Sequence, residues 1–330
     1  MANYTTIDDP SAYFQTALHT GNGGTQSITN DGNSDLQPDF VWIKGRSTNS
    51  HHALFDSVRG ATKRIAASEN NAETTEAAGL TAFNSDGWST GSWSGSNANT
   101  STYVSWQWKN SATAGFDIAT WSGNATNRTI AHDLGVVPKT IIVKNRSANL
   151  DWRVYHAGNT SAPETDHLKL NSTGATADDD SMWNDTAPTS SVFSLKTSTS
   201  VNGNSANYVG YIFGDVQGYQ KCGSYIGTGS DVFVYTGFKV GWLLVKNADN
   251  TNGWLVIDTK RSPSNPQGKF SYANADSTEG TVTYGQFFSN GFGWKGTNSV
   301  AVNQDGETFV YIAIAENPLV TSTGVPATAR

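Results

Sequence analysis

The chain's six histidines and lone cysteine are its best prospective metal ligands and nucleophiles, and their spacing argues against both roles. His51 and His52 are adjacent, and the next closest pair, His156 and His167, has no cysteine near it, so no zinc-like spacing arises. A single thiol, Cys222, rules out an intrachain disulfide framework and fits folding in a reducing cytoplasm. Asp178-Asp179-Asp180 offers the oxygen ligands that calcium takes, but consecutive carboxylates on an extended run point to opposite sides, and no glycine-centred calcium loop surrounds them. No phosphate-binding glycine loop and no strand-Gly-x-Gly-x-x-Gly-helix unit occurs. These residues predict no catalytic group, no metal and no cofactor.

Asp56, His156 and Asp258 occupy equivalent places in a repeating pattern and would converge only if the copies closed around a common axis. Tandem copies supply similar groups, whereas a catalytic centre needs dissimilar ones, so a polar residue closing a strand is the expected role. Nothing marks the paired carboxylates of a glycosidase. Aromatic side chains are the better binding candidates. Trp88, Trp93, Trp183, Tyr272, Tyr284 and Trp294 lie in stretches rich in Gly, Ser and Asn, away from the strong strand runs. Rings beside side-chain amides suit carbohydrate, because the ring packs on the sugar's CH face while amides bond its hydroxyls.

The elements that would position these groups come from a threefold repeat. Phe40-Val41-Trp42-Ile43-Lys44, Thr140-Ile141-Ile142-Val143-Lys144 and Trp242-Leu243-Leu244-Val245-Lys246 are the same strand phrase, β-branched and aromatic, with the lysine expected where the chain meets water. The intervals from Lys44 to Asp56, Lys144 to His156 and Lys246 to Asp258 are equal, and an apolar segment precedes each end point, which reads as a hairpin. A turn and strand beginning at Asn97, Asn202 and Asn303 recurs later in each copy, and glycines at 21, 123 and 227 mark a turn near each start. The repeat sets the fold expectation: all-β, three tandem antiparallel β-sandwich units of jelly-roll type over residues 1–110, 111–218 and 219–316, and a tail over 317–330 whose prolines and glycine oppose regular structure. The sequence admits closure as a pseudo-trimer or an array in a row. The copies differ most over residues 60–80, 160–190 and 262–285, variable loops expected to share a binding face. Residues 66–80 are the best helix candidate, as a short surface helix or a loop.

Composition narrows the function. A formal net charge of −7 with scattered basic residues argues against a nucleic-acid surface, and the densest basic patch, Arg59, Lys63 and Arg64, reads as a solvated loop. No apolar run approaches the length of a membrane span, and Met1-Ala2-Asn3 opens no secretion signal. Only 15% of residues are charged and 33 are Gly, which fits short strands joined by many turns.

Thr5-Thr6-Ile7-Asp8-Asp9-Pro10, the run Thr20-Gly21-Asn22-Gly23-Gly24, Gln37-Pro38-Asp39-Phe40-Val41-Trp42 and Leu54-Phe55-Asp56-Ser57-Val58-Arg59-Gly60 together resemble virion structural proteins of tailed bacteriophages, especially marine ones such as cyanophages. Gly135-Val136-Val137-Pro138-Lys139 is similar to internal repeats of that family, whereas Lys239-Val240-Gly241 lacks the corresponding proline. The resemblance implies a non-enzymatic virion component assembled in host cytoplasm, with other tail or capsid proteins as partners. Charge and hydropathy argue against nucleic-acid contact and membrane insertion. Two roles follow: a tail-fibre or tail-associated module for host attachment, contacting surface polysaccharide and acting as a homo-oligomer, or a capsid decoration or spike protein docked on the head lattice.

Overall fold

The computed structural model describes residues 4–327, so Met1-Ala2-Asn3 and the last residues of the tail lie outside the described residues. The chain is all-β, built of antiparallel sheets in three successive sets of strands. In each set one strand is flanked by the same neighbours. Thr102–Trp108 lies between Phe14–Thr20 and Phe40–Gly45, which continues to Ala53–Asp56. Asn207–Gly214 lies between Phe116–Ser122 and Pro138–Asn145, which continues to Arg153–His156. Thr308–Pro318 lies between Gln220–Ile226 and Phe238–Asn247, which continues to Leu255–Asp258.

A second layer covers one face of each sheet. Gln26–Ile28, Trp88–Thr90 and Leu80–Phe83 form it in the first set, and Arg128–Ala131 with Val192–Leu195 in the second. In the third set Val232–Tyr235, Gly291–Trp294 and Gly280–Phe288 are continuous with the main sheet, giving eight strands that curl towards closure. Lys221 Nζ spans the remaining gap by donating to the Tyr235 carbonyl at 2.9 Å.

The apolar runs are long because the main-sheet strands are buried on both faces. Val41, Ile43 and Phe55 point into the first sandwich with Trp88 and Tyr103. Their alternates Phe40, Trp42, Leu54 and Trp108 point the other way, into a core shared with Phe116, Ile142, Tyr211 and Phe213 of the second set and Trp242, Leu244 and Ile312 of the third. Rings from different sets meet there: Phe40 and Tyr211 at 4.4 Å between centroids, Trp108 and Trp242 at 5.3 Å and perpendicular. The three sets therefore surround one apolar axis as a pseudo-trimer.

Two expectations change, and the choice between helix and loop over residues 66–80 falls to the loop. The strand-ending lysines do not meet water: Lys44, Lys144 and Lys246 are all buried, the Nζ groups of the first two donating to carbonyls of a neighbouring set and that of Lys246 to the Asn247 and Asn250 carbonyls of its own set. Lys44 Nζ donates to the Asp276 carbonyl of the third set at 3.1 Å and Lys144 Nζ to the Asn70 carbonyl of the first at 2.9 Å. Residues 66–80 form no helix but turns around the short strand Thr74–Thr75, while a four-residue helix sits at Ser94–Asn97. Pro318 does not end the sheet. It closes the strand Thr308–Pro318 opposite Phe238, where its missing N–H costs nothing at the last position, and the tail folds back through a Val320–Pro326 bridge.

Candidate functional site

The chemistry-bearing residues gather at the seams between sets. Asp56, at the end of its strand, forms a buried ion pair with Arg59 and accepts the Tyr211 hydroxyl proton of the second set at 2.8 Å. Arg59 also meets Glu73 at 3.0 Å, and Glu73 meets Arg146 of the second set at 2.9 Å. The seam between the third and first sets repeats this pattern. Asp258 pairs with Arg261 at 2.5 Å, Trp106 Nε1–H of the first set donates to Asp258 at 3.0 Å, and Glu279 joins Arg46 of the first set at 2.9 Å.

The seam between the second and third sets has the same geometry without charge. His156 stands for the aspartate, Asn159 for the arginine, Thr176 for the glutamate and Ala248 for the outer arginine. Thr176 Oγ1–H donates to Asn159 Oδ1 at 2.7 Å, and His156 Nε2 is 3.1 Å from the Tyr311 carbonyl of the third set. Burial pulls the His156 imidazole down to about 4, offset in part by that carbonyl. The neighbouring donor, Trp106 or Tyr211 in the other seams, becomes Ile312, which could not have satisfied a carboxylate. All members change together, as they must where any one left charged would be buried unpaired.

Backbone bonds close every seam in one register: Glu73 N–H to the Arg146 carbonyl, Thr176 N–H to Ala248 and Glu279 N–H to Arg46, at 2.8–2.9 Å. The segments over 60–80, 160–190 and 262–285 are thus clasps between sets. Expected as a free binding face, they vary because each is fitted to a different neighbour.

Asp56, His156 and Asp258 accordingly do not converge on a reaction centre; each is consumed in its own seam. The acidic triplet also disperses, since Asp179 accepts from Ser181, Asp180 pairs with Lys196, and Asp178 sits on an exposed strand. Among the described residues no His, Cys, Asp and Glu cluster could hold a metal. Arg59 is a buried seam residue and Arg64 pairs with Glu69, which corrects the reading of that basic patch as a solvated loop. No helix of the described residues is long and apolar enough to cross a membrane.

The six aromatic candidates do not share a surface. Trp88, Trp183 and Trp294 are buried, their indole N–H groups spent on Ser105, the Asp166 carbonyl and Tyr225, so stacking on a sugar is closed to them. They fill the sandwich interiors, Trp88 and Trp294 on inner strands entered through glycine turns and Trp183 from a turn that folds inward. Trp93 is half-buried beneath Arg64, and Tyr272 and Tyr284 are half-buried against Phe270 and Trp294.

The exposed rings are elsewhere. Phe233 and Tyr235, outward-facing on Val232–Tyr235, are 50% and 51% exposed, and Phe288 lies 5.5 Å from Phe233. Beside Tyr235 is a crevice of about 290 Å³ lined by Tyr4, Asp215, Gln217, Lys221 and Thr236. Lining up the three copies of this strand would have exposed the feature, because only the third has large rings at its outward positions. No curated protein matches the chain. A family model described as a domain of unknown function, DUF7483, matches residues 9–318, a span that takes in all three strand sets as one unit. The chain belongs to that family.

Proposed function

We propose that this protein is a non-enzymatic structural component of a tailed-bacteriophage virion, a tail-fibre or tail-associated module that contacts the host surface and binds its glycans. One observation carries the reading: the buried acids, bases and imidazoles of the seams are spent on holding three β-sets around a single apolar axis, which makes a rigid platform. Rigid platforms present loops and rings to a partner at low ordering cost. The phrases between residues 20 and 60 that resemble phage virion proteins supply the setting, with other virion proteins as partners.

Pseudo-threefold closure also favours a second reading, a decoration protein seated over a threefold position of the capsid lattice. Immunogold labelling of intact virions separates the two. Gold on the tail or its fibres is the expected result, gold over the head would assign the protein to decoration, and unlabelled particles would overturn both.

A further inference from the structure

The three strand sets act as controls for one another, and they disagree at one place on the outer layer. The pairs Ile28–Trp88, Ile130–Phe193 and Val234–Phe292 are structurally equivalent and all point inward. On the outward side of the first strand in each pair stand Ser27 and Thr29, Thr129 and Ala131, and then Phe233 and Tyr235. On the partner strand the flanking positions are Gly87 and Ser89, Val192 and Ser194, and then Gly291 and Gly293. Two sets close the same sandwich with small outward residues, so folding does not require rings there.

The rings lie over glycines that close backbone approach already requires. A Cβ on Gly291 would stand 2.2 Å from the Val234 carbonyl oxygen and 3.0 Å from Phe233 Cε2, and one on Gly293 would stand 2.3 Å from the Val232 carbonyl oxygen and 3.2 Å from Phe288 Cε2. Phe233 rests against bare backbone with half of its surface in solvent, and the partly buried Phe288 packs beside it, so both are held in place before any ligand arrives. Tyr235 follows two residues after Phe233 on the same face, roughly 7 Å along the strand. Lys221 Nζ lies 5.6 Å from its ring centroid, and the crevice beyond offers a carboxyl, an amide and hydroxyls.

We propose that Phe233, Tyr235 and Phe288 form a carbohydrate-binding platform, stacking on the CH faces of sugar rings while the crevice beside Tyr235 engages their hydroxyls. This deepens the adhesion reading and rests on it for the source of the glycan. Size selects the occupant. Half of Phe233 and Tyr235 with the smaller exposed part of Phe288 amounts to roughly 250 Å², against the ~800 Å² that each partner gives to a stable protein interface. One to a few sugar residues match that area, and a protein partner or second copy does not.

The test uses the substitutions that the second set already carries, Phe233→Thr with Tyr235→Ala, in the full chain. Calorimetry and affinity electrophoresis against a cello-oligosaccharide, a laminari-oligosaccharide, a mannan and an alginate should show wild-type binding to at least one. The double variant should lose about tenfold or more in affinity with an unchanged thermal midpoint. Equal affinity in both proteins would overturn the platform and leave glycan adhesion standing elsewhere on the surface. Absence of wild-type binding at about 10 mM sugar would overturn the platform and with it the glycan part of the adhesion reading, while gold labelling judges the virion role independently. A variant that changes self-association in sedimentation, and not sugar binding, would reassign the face to a second copy.

Discussion

Asp258 and Arg261 are fully buried and Glu279 and Arg46 partly so, and every carboxylate there has a cation or an aromatic donor within hydrogen-bond reach. Removing one member leaves the others uncompensated, so Asp258→Ala should cost about 3–5 kcal/mol, measured as a lowered denaturation midpoint. The neutral seam responds to acid instead. His156 titrates near 6.5 when unfolded and is pulled down to about 4 when folded. The unfolded chain therefore binds more protons between those values, and stability is lost as pH falls from about 6.5 towards 4. His156→Gln should flatten the fall of thermal midpoint over that window relative to wild type; an unchanged slope would contradict the buried neutral imidazole.

At the level of elements, one device recurs in every set. The amide of Asn97 donates to the carbonyls of Gly24 and Gly91, that of Asn202 to Thr126 and Lys196, and that of Asn303 to Ser230 and Thr297. Their side-chain oxygens accept the N–H of Asn22, Asn124 and Thr228, tying the first turn of each set to its last. The glycine before that residue is obligatory, since a Cβ on Gly123 would lie 2.1 Å from the Gly203 carbonyl oxygen. Asn202→Ala removes three part-buried hydrogen bonds and should cost about 2–3 kcal/mol, read by urea denaturation. The recurring asparagines and glycines, like the strand phrases, were legible in the sequence because local turn chemistry demands those residue types. Burial of Lys44 and Lys144 was not, because it depends on which set covers a strand end, and that is a long-range fact. The aromatic candidates failed for a similar reason: a ring in a polar stretch such as Trp88 reads the same whether its turn leads inward or outward. Phe233 and Tyr235 sit inside an ordinary alternating strand, where only comparison of the copies makes them unusual.

For the whole molecule, the shared axis decides how the protein melts. Phe116, Ile142, Tyr211 and Phe213 would face water in an isolated second set, so the chain should unfold in one calorimetric transition with equal van't Hoff and calorimetric enthalpies. Two or three resolved transitions would mean that the sets are independent. Two of the seams are charged and one is neutral, and each is complementary only to its own neighbour. A set docked against the wrong partner would bury an aspartate opposite Ile312 or a lone arginine beside Thr176. The seams thus act as an address code for the order of the copies, so that similarly folded pieces of one chain do not exchange places with each other or with those of another chain while the ring closes.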